Sequence, residues 1–281
     1  MKKICLIIAT VLVAVAVVVE GAFLIKGKTY KAQNPIATIQ IEGYEKPIKI
    51  ELDPVAAPNA VANFVKLANK GFYNNYKMSI ETDALTTDSS AEKAKLSQIV
   101  DYPQTDYTYG IKGDFIKNGH QNLIKHQKGV ITMEREDYSY FGYTQEGYNS
   151  ANSSFSILTA DRDSYNENAA AFGKVVDGMD VLEAIAATRV EEDTNSENNE
   201  NADNNEDETK NKITIQSITV DTFGVDYGIP EFVNYDENLQ KVNNAYSQYF
   251  NNQSNAVTTT DDSTQEDGTV IENVDNAGNV E

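Results

Sequence analysis

Short runs in which apolar and polar residues alternate recur along the middle of the chain. Apolar residues occupy every second position of 37–41 and again of 48–52, and a short polar break separates the two runs. Alternation with a period of two places the apolar side chains on one face of a β-strand. The two runs therefore predict a β-hairpin, which ends at Pro54 because proline has no N–H for the ladder.

Two segments change to a helical period. In residues 58–68 the apolar positions fall at i, i+3, i+4 and i+7, with proline in the first turn. In residues 179–188, Met179, Leu182, Ile185 and Ala186 share one face of a second predicted helix. Further β-like runs lie at 129–133, 155–158, 170–176 and 213–220. The apolar parity of the last run switches near Ser217, which indicates a β-bulge. Many short strands with two helices predict a mainly β fold, a closed or nearly closed β-barrel capped by helices.

The remaining segments lack the pattern that a packed core requires. Residues 191–211 contain no large apolar residue and predict a disordered acidic insertion. We expect residues 229–281 to form an acidic, largely disordered tail, in which 236–250 has the composition of a short amphipathic helix. The predicted organisation is an N-terminal segment and linker (1–34), a globular domain (35–228) and this tail.

The N-terminal segment has the properties of a membrane signal. Lys2 and Lys3 precede 22 mostly apolar residues, 4–25, with Glu20 as the one acid. About 20 apolar residues span a bilayer, whereas a cleavable signal peptide has a shorter apolar stretch and small residues at its cleavage site. An uncleaved anchor is favoured, and either interpretation exports the rest of the chain. We expect a single-pass protein of the cell membrane with its globular domain outside the cytoplasm.

Charge and reactive residues exclude several classes of function. The net charge is −20, and nucleic-acid phosphates repel such a polyanion, so nucleic acid is not an expected partner. The single cysteine, Cys5, lies in the apolar N-terminal segment, which leaves no disulfide and no cysteine-based zinc site. The two histidines, His120 and His126, can at most contribute to a metal site. We expect no metal and no cofactor.

Three stretches, in order and with matching spacing, resemble the cyclophilin family of peptidyl-prolyl cis–trans isomerases. They are IKIELDPVAAPNAVANFVKLANKGFY (48–73), YGIKGDF with NLIKHQKGVITMER (109–115 and 122–135), and NSSFSILTADR with AAFGKVVDGMDVLEAIAAT (152–162 and 170–188). The resemblance covers about 36–228. It implies a closed eight-stranded barrel with two capping α-helices, and proline-containing polypeptides as partners.

The resemblance also implies where a substrate binds. The matching positions are Met133, Glu134, Ser154, Phe155, Ser156, Tyr165 and Ala169. Ser154 replaces a glutamine of the family, and Ser156 replaces the phenylalanine that lines the proline pocket. Ala169 stands where the family has an aromatic residue or histidine.

The family's principal catalytic group is the arginine of an F-H-R tripeptide that follows the Gly-Phe-Tyr at 71–73. Counting without gaps, the tripeptide falls on residues 78–80, so that Ile80 takes the place of the arginine. An aliphatic side chain cannot donate a hydrogen bond to the prolyl nitrogen while the amide bond rotates. Lys77 or Lys125 is a possible substitute, although an ammonium group lacks the planar fork of a guanidinium.

Two functional hypotheses follow from these residues. The first is an exported peptidyl-prolyl isomerase that assists the folding of extracytoplasmic proteins at X–Pro bonds. The alternative is a catalytically inactive module that keeps the barrel and binds or scaffolds peptides. Neither histidine is expected to be catalytic: His126 is assigned a structural role and His120 a place in a solvated loop. Residues 80–105 do not align with the family, and the sequence does not predict the path of residues 76–107.

Overall fold

The structure is a computed structural model of the 281-residue chain, and it describes residues 33–87, 109–190 and 211–260. The predicted membrane anchor, nearly all of the acidic insertion and the end of the tail lie outside the described residues. Inside the described ranges, no helix has the length and apolar character needed to cross a membrane.

Eight antiparallel strands close into a barrel. They are β1 (Ile36–Ile41), β2 (Ile48–Leu52), β3 (Tyr76–Ile80), β4 (Ala84–Thr87), β6 (Val130–Met133), β7 (Phe155–Leu158), β8 (Ala171–Asp177) and β9 (Lys212–Asp221). Around the barrel the order is β1–β2–β8–β6–β7–β4–β3–β9. The predicted eight-stranded barrel is confirmed. Two further strands, β5 (Gly110–Ile111) and β10 (Phe232–Val233), pair in a separate small sheet.

The strands follow the apolar pattern of the sequence. In β1 every second residue is buried, so the alternating run faces the barrel interior. Opposite it, the register of β9 shifts between Ser217 and Ile215, the partners of Gln40 and Ile41. Because this shift skips one residue of β9, the predicted β-bulge is confirmed.

Four α-helices accompany the barrel: α1 (Pro58–Asn69), α2 (Thr144–Tyr148), α3 (Met179–Ala186) and α4 (Tyr235–Thr260). The first and third are the two helices that the sequence predicts. Short 3₁₀ turns lie at Ile116–Asn118, Ser139–Phe141 and Asp163–Tyr165.

The centre of the core is aromatic. Phe64 of α1 is fully buried, and its ring centroid lies 5.3–5.6 Å from those of Tyr73, Phe155 and Phe172. Such edge-on and tilted pairs stabilise a core beyond the area they bury. Phe155 is therefore a core residue, and its assignment to the substrate groove is wrong.

The N-terminus of α1 is held by a carboxylate from elsewhere in the chain. The helix has no side-chain cap of its own. Asp114 accepts hydrogen bonds from the Ala60 N–H and from Asn59 Nδ2, each at 2.9 Å. This carboxylate satisfies a free N–H of the first turn, where the helix dipole also favours negative charge. The YGIKGDF stretch thus fixes the first helix against the rest of the domain.

Residues 229–260 depart from the expected disorder. Strand β10 pairs with β5, and Glu231 forms an ion pair with Lys112 at 3.2 Å. Helix α4 is longer than the predicted segment 236–250. Its Tyr249 hydroxyl lies 2.6 Å from that of Tyr140, so the helix packs on the turn at 139–141.

Candidate substrate groove

A row of polar side chains crosses four neighbouring strands. Ser79 on β3 lies opposite Thr86 on β4, which lies opposite Ser156 on β7; Ser156 in turn lies opposite Thr132 on β6. Directly opposed residues in antiparallel strands point to the same side of the sheet. The row therefore marks one continuous face on the outside of the core.

Ile80 does not belong to this face. Both Met78 and Ile80 are part of the hydrophobic core, and Ile80 is 6% exposed. Between them, Ser79 points outward and accepts a hydrogen bond from Lys212 Nζ at 2.7 Å. The ungapped count therefore chose the wrong residue: the side chain that β3 presents to the groove is a hydroxyl and not an aliphatic group.

Two depressions adjoin the polar row. The first, which we name the Ala169 depression, has a volume of about 280 Å³. It is lined by Met133, Glu134, Arg135, Asp137, Ser164, Tyr165, Asn168 and Ala169. Met133, Tyr165 and Ala169 give it apolar surface, and the other lining residues are polar or charged.

The second, which we name the Ser154 depression, has a volume of about 310 Å³. It is lined by Ser79, Glu81, Thr86, Thr87, Glu134, Arg135, Glu136, Ser150, Asn152 and Ser154, all of them polar. Because Glu134 and Arg135 line both depressions, the two form one groove with these side chains at the junction. A groove of this size and continuity can accept a short extended segment of polypeptide.

A charged cluster occupies the centre of the groove wall. The Ser156 hydroxyl donates to Glu134 Oε1, and it accepts from Thr86 Oγ1 at 2.7 Å, since a hydroxyl has one hydrogen to donate. Arg162 Nη1 lies 3.7 Å from the same Glu134 oxygen. Its Nε and Nη2 donate to the two carboxylate oxygens of Asp83. Ser156, which replaces the family's pocket phenylalanine, is thus part of a polar network.

The cluster shifts the pKa values of its members in opposite directions. The hydrogen bond from Arg162 lowers the pKa of Asp83, while burial raises the pKa of Glu134. The hydrogen bond to Asp83 raises the pKa of Arg162. The Arg162 side chain is only 11% exposed, and its guanidinium carbon lies 4.6 Å from the Tyr165 ring centroid. The group therefore stays charged and bound to carboxylates. Arg162 thus stabilises the groove wall and does not serve as a hydrogen-bond donor to a ligand.

Arg135 is the cation that the groove presents. Its Nε and Nη1 donate to the carbonyl oxygens of Asn168 and Glu136, at 2.8 and 2.9 Å. Its guanidinium carbon lies 5.1 Å from the ring centroid of Tyr148 and 5.6 Å from that of Phe115. These contacts fix the plane of the group, and within the described part of the chain Nη2 has no acceptor. Sequence reasoning overlooked Arg135, although it ends the family-like stretch 122–135.

The predicted groove residues are otherwise largely brought together. Met133, Glu134, Tyr165 and Ala169 meet in the first depression, and Ser154 lies in the second. Ser156 supports the wall between them through Glu134. Lys77 and Lys125, the substitutes considered for the missing arginine, line neither depression.

Neither histidine reaches the groove lining. His126 is 1% exposed, with Nε2 3.0 Å from Thr132 Oγ1, and burial lowers its pKa to about 4. Its structural role is confirmed. His120 lies in a loop, as expected; it is half-buried, with Nε2 3.0 Å from the Ala56 carbonyl oxygen.

The fold and the groove define a closed β-barrel protein with a largely polar cleft on its surface. The sequence profile of the family described as "Cyclophilin type peptidyl-prolyl cis-trans isomerase/CLD" matches residues 36–220, more than half of the chain. The chain therefore belongs to the cyclophilin-type peptidyl-prolyl cis–trans isomerase family.

The chain is also similar to individual proteins. Peptidyl-prolyl cis-trans isomerase A of Dickeya dadantii (strain 3937) is 27% identical over 144 residues, covering 51% of this chain and 68% of that protein. A cyclophilin-type isomerase of Cryptosporidium parvum has a TM-score of 0.47 at 16% identity, covering 67% of this chain and 98% of that one. The Mimivirus cyclophilin has a TM-score of 0.46 at 17% identity, covering 69% and 92%. A further structure of the Cryptosporidium protein was obtained in the presence of the dipeptide Ala-Pro, with a TM-score of 0.45 at 17% identity, covering 66% and 98%.

Proposed function

We propose that this protein is an exported peptidyl-prolyl cis–trans isomerase that acts on X–Pro bonds of extracytoplasmic polypeptides, with Arg135 as the cation at the prolyl nitrogen. The observation that carries the proposal is the position of the Arg135 guanidinium. It lies at the junction of both depressions, held by two carbonyl oxygens and two rings.

Substrate binding follows from the surfaces on either side of this cation. The proline ring enters the Ala169 depression and packs on Met133, Tyr165 and Ala169. The prolyl nitrogen then faces Arg135. The residue that precedes the proline is attached to that nitrogen, so it extends past Arg135 into the Ser154 depression.

The chemistry is rotation about a bond, and no covalent bond forms or breaks. Rotation costs about 18–20 kcal/mol because amide conjugation is lost. At the top of the barrier the prolyl nitrogen recovers a lone pair, and a hydrogen bond from Arg135 Nη2 stabilises it. The donor is already oriented by the contacts of Nε and Nη1, so it need not reorganise during the rotation.

The polar wall limits the expected rate. Ser156 supplies a hydroxyl where the family has an aromatic wall, and the Glu134 carboxyl it contacts also lines the groove. A polar wall grips a pyrrolidine ring less tightly than a phenyl ring does. We therefore expect a smaller acceleration than in members with the aromatic wall. The same observation favours a second candidate, a module that binds proline-containing peptides without accelerating exchange.

Exchange spectroscopy separates these candidates. The cis–trans exchange rate of an isotope-labelled Ala-Ala-Pro peptide is measured with the full-length protein in detergent micelles. We expect acceleration by the wild type and a loss of about 10²-fold in kcat/KM for Arg135→Ala, a cost typical of removing one transition-state donor. Arg135→Lys keeps the charge and is expected to retain part of the activity.

The control for this assay is Glu45→Gln, an exposed change in the turn between β1 and β2, which is expected to leave the rate unaltered. A peptide titration of Arg135→Ala shows whether binding survives, so that a catalytic loss is distinguished from a lost groove. Peptide binding without any acceleration by the wild type supports the non-catalytic candidate. A wild-type rate that Arg135→Ala leaves unchanged contradicts the role of Arg135.

Export is proposed on the N-terminal sequence alone. The apolar segment 4–25 supports a single membrane anchor that leaves the domain outside the cytoplasm. Protease added to intact cells is expected to digest the domain, whereas a protected domain contradicts this placement. The net charge of −20 supports polypeptide and not nucleic acid as the partner.

A further inference from the structure

We infer that the Ser154 depression is a subsite for a basic side chain, lysine or arginine, at one of the two residues before the substrate proline. This inference rests on the proposed function, which places the preceding residues there. It goes beyond that function because it names the class of sequence that the groove selects.

Carboxylates dominate the charged lining of the depression. Glu81, Glu134 and Glu136 line it, and Arg135 is the one cation in the lining. Two further cations lie close by, but both already have partners. Arg162 is held by Asp83, and Lys212 donates to Ser79 at the edge.

The adjoining depression adds another carboxylate, Asp137. The groove therefore holds more negative than positive groups, on a chain whose net charge is −20. A field of this sign draws a cationic side chain toward the cleft and disfavours an acidic one.

A buried hydroxyl without a partner supplies the second observation. Ser154 is 6% exposed and lines the depression, and its Oγ has no hydrogen-bond partner in the described structure. Ser154 directly precedes β7, whose first residue, Phe155, is fully buried in the core.

The neighbouring hydroxyls of the depression do have partners. Thr87 Oγ1 accepts from the Phe155 N–H at 2.8 Å and donates to its carbonyl oxygen at 3.1 Å. The Ser150 hydroxyl donates to the Gly147 carbonyl oxygen and accepts from the Glu136 N–H, each at 2.8 Å.

Buried polar groups in folded proteins nearly always have a partner, so the orphaned Ser154 hydroxyl calls for one. An ammonium or guanidinium group carries only donors. It can donate to the Ser154 oxygen and to the surrounding carboxylates at once. A carboxylate ligand would instead face Glu81, Glu134 and Glu136, which outnumber Arg135, the one cation in the lining.

Binding of three matched peptides to the full-length protein tests the inference. They are Ala-Lys-Pro-Ala, Ala-Ala-Pro-Ala and Ala-Glu-Pro-Ala, each with blocked ends, together with variants in which the substituted residue is one position earlier. We expect the lysine peptide to bind about three- to tenfold more tightly than the alanine peptide, as for one or two partly exposed ion pairs. The glutamate peptide is expected to bind more weakly than the alanine peptide.

Charge variants and high salt test whether the carboxylates of this depression cause the preference for the lysine peptide. Glu81→Gln and Glu136→Gln are expected to reduce the lysine preference, and Glu45→Gln to leave it intact. About 1 M salt, at which charges are screened beyond about 3 Å, is expected to reduce it as well.

The outcomes distinguish the inference from the proposed function. Equal affinity for all three peptides at both positions overturns the subsite and leaves the isomerase proposal standing. Failure of every peptide to bind overturns both. A lysine preference that survives Glu81→Gln combined with Glu136→Gln also overturns the subsite, because the selecting charges then lie elsewhere.

Discussion

Replacing Arg162 by methionine removes the cation from the charged cluster while keeping a side chain of similar length. The Arg162 side chain is 11% exposed, and its guanidinium donates twice to Asp83 and lies 3.6 Å from Glu81 and 3.7 Å from Glu134. Its loss leaves the Glu134 side chain, 23% exposed, without an ion-pair partner among the described residues. Breaking a fully buried pair costs about 3–5 kcal/mol, whereas an exposed pair contributes about 0.2–1 kcal/mol.

Asp83 and Glu81, with 37% and 44% of their side chains exposed, regain much of their hydration when the cation is lost. We therefore expect an intermediate loss of about 2–3 kcal/mol in the free energy of unfolding for Arg162→Met. In a domain of this size each kcal/mol lowers Tm by about 2–4 °C. Urea denaturation at pH 7, followed by circular dichroism, measures the loss.

The pH dependence provides a further check. Arg162 lowers the pKa of Asp83, so this stabilisation is present above the ordinary pKa of 3.8 and disappears as pH falls through the lower folded value. The deficit of Arg162→Met should therefore shrink in strong acid. Lys46→Met, which removes a cation from an exposed pair with Asp180, is the control and should have a smaller effect. A stability of Arg162→Met equal to that of the wild type refutes the reasoning.

Three further predictions concern the core, a buried histidine and the C-terminal helix. Phe64→Ala should lower the free energy of unfolding by about 3–5 kcal/mol, against about 0.5 kcal/mol or less for the exposed Val55→Ala, in urea denaturation. The pKa of His126 is lowered to about 4, so between about pH 6.5 and pH 4 the unfolded chain binds a proton that the folded chain does not, and the wild type loses stability as pH falls through this range. His126→Gln should show a weaker dependence of stability on pH over this window. An equal dependence excludes His126 as the cause. Removing residues 235–281 should speed amide hydrogen exchange in 138–149, on which α4 packs, and unchanged exchange there contradicts a supporting role for the helix.

Sequence pattern predicted the barrel well because its strands obey strong local rules. The alternating runs at 36–41 and 48–52 form the predicted hairpin, and both predicted helices are present. The parity switch near Ser217 marked the bulge correctly. Each of these elements buries one face, so the order of apolar and polar residues in the sequence predicts which side chains face the core.

The groove was harder to predict because its strands do not follow the family's sequence. Ungapped counting from 71–73 assigned Ile80 to the groove, yet the side chains of β3 alternate so that Ser79 faces outward. An error of one position in a strand exchanges the two faces completely. The apolar parity of Met78 and Ile80 was the available signal, since two apolar residues flanking a serine indicate that the serine is on the polar face.

The charged cluster depends on contacts between distant segments. Arg162 and Asp83 are 79 positions apart, and Asp83 falls within the stretch that could not be aligned. The C-terminal helix was underestimated for a related reason. Its segment is polar on average, and its packing uses only a few residues, such as the buried Val242 and Tyr249 against Tyr140.

The most direct measurement of the central claim is the position of the proline ring in a bound peptide. Isotope-filtered NOEs are recorded between the ring protons of Ala-Lys-Pro-Ala and methyl-labelled full-length protein. The proposed binding mode predicts NOEs to the methyl groups of Ala169 and Met133, and a shift of the Arg135 side-chain N–H resonances. NOEs that place the ring against another part of the barrel, with Arg135 unaffected, would contradict it.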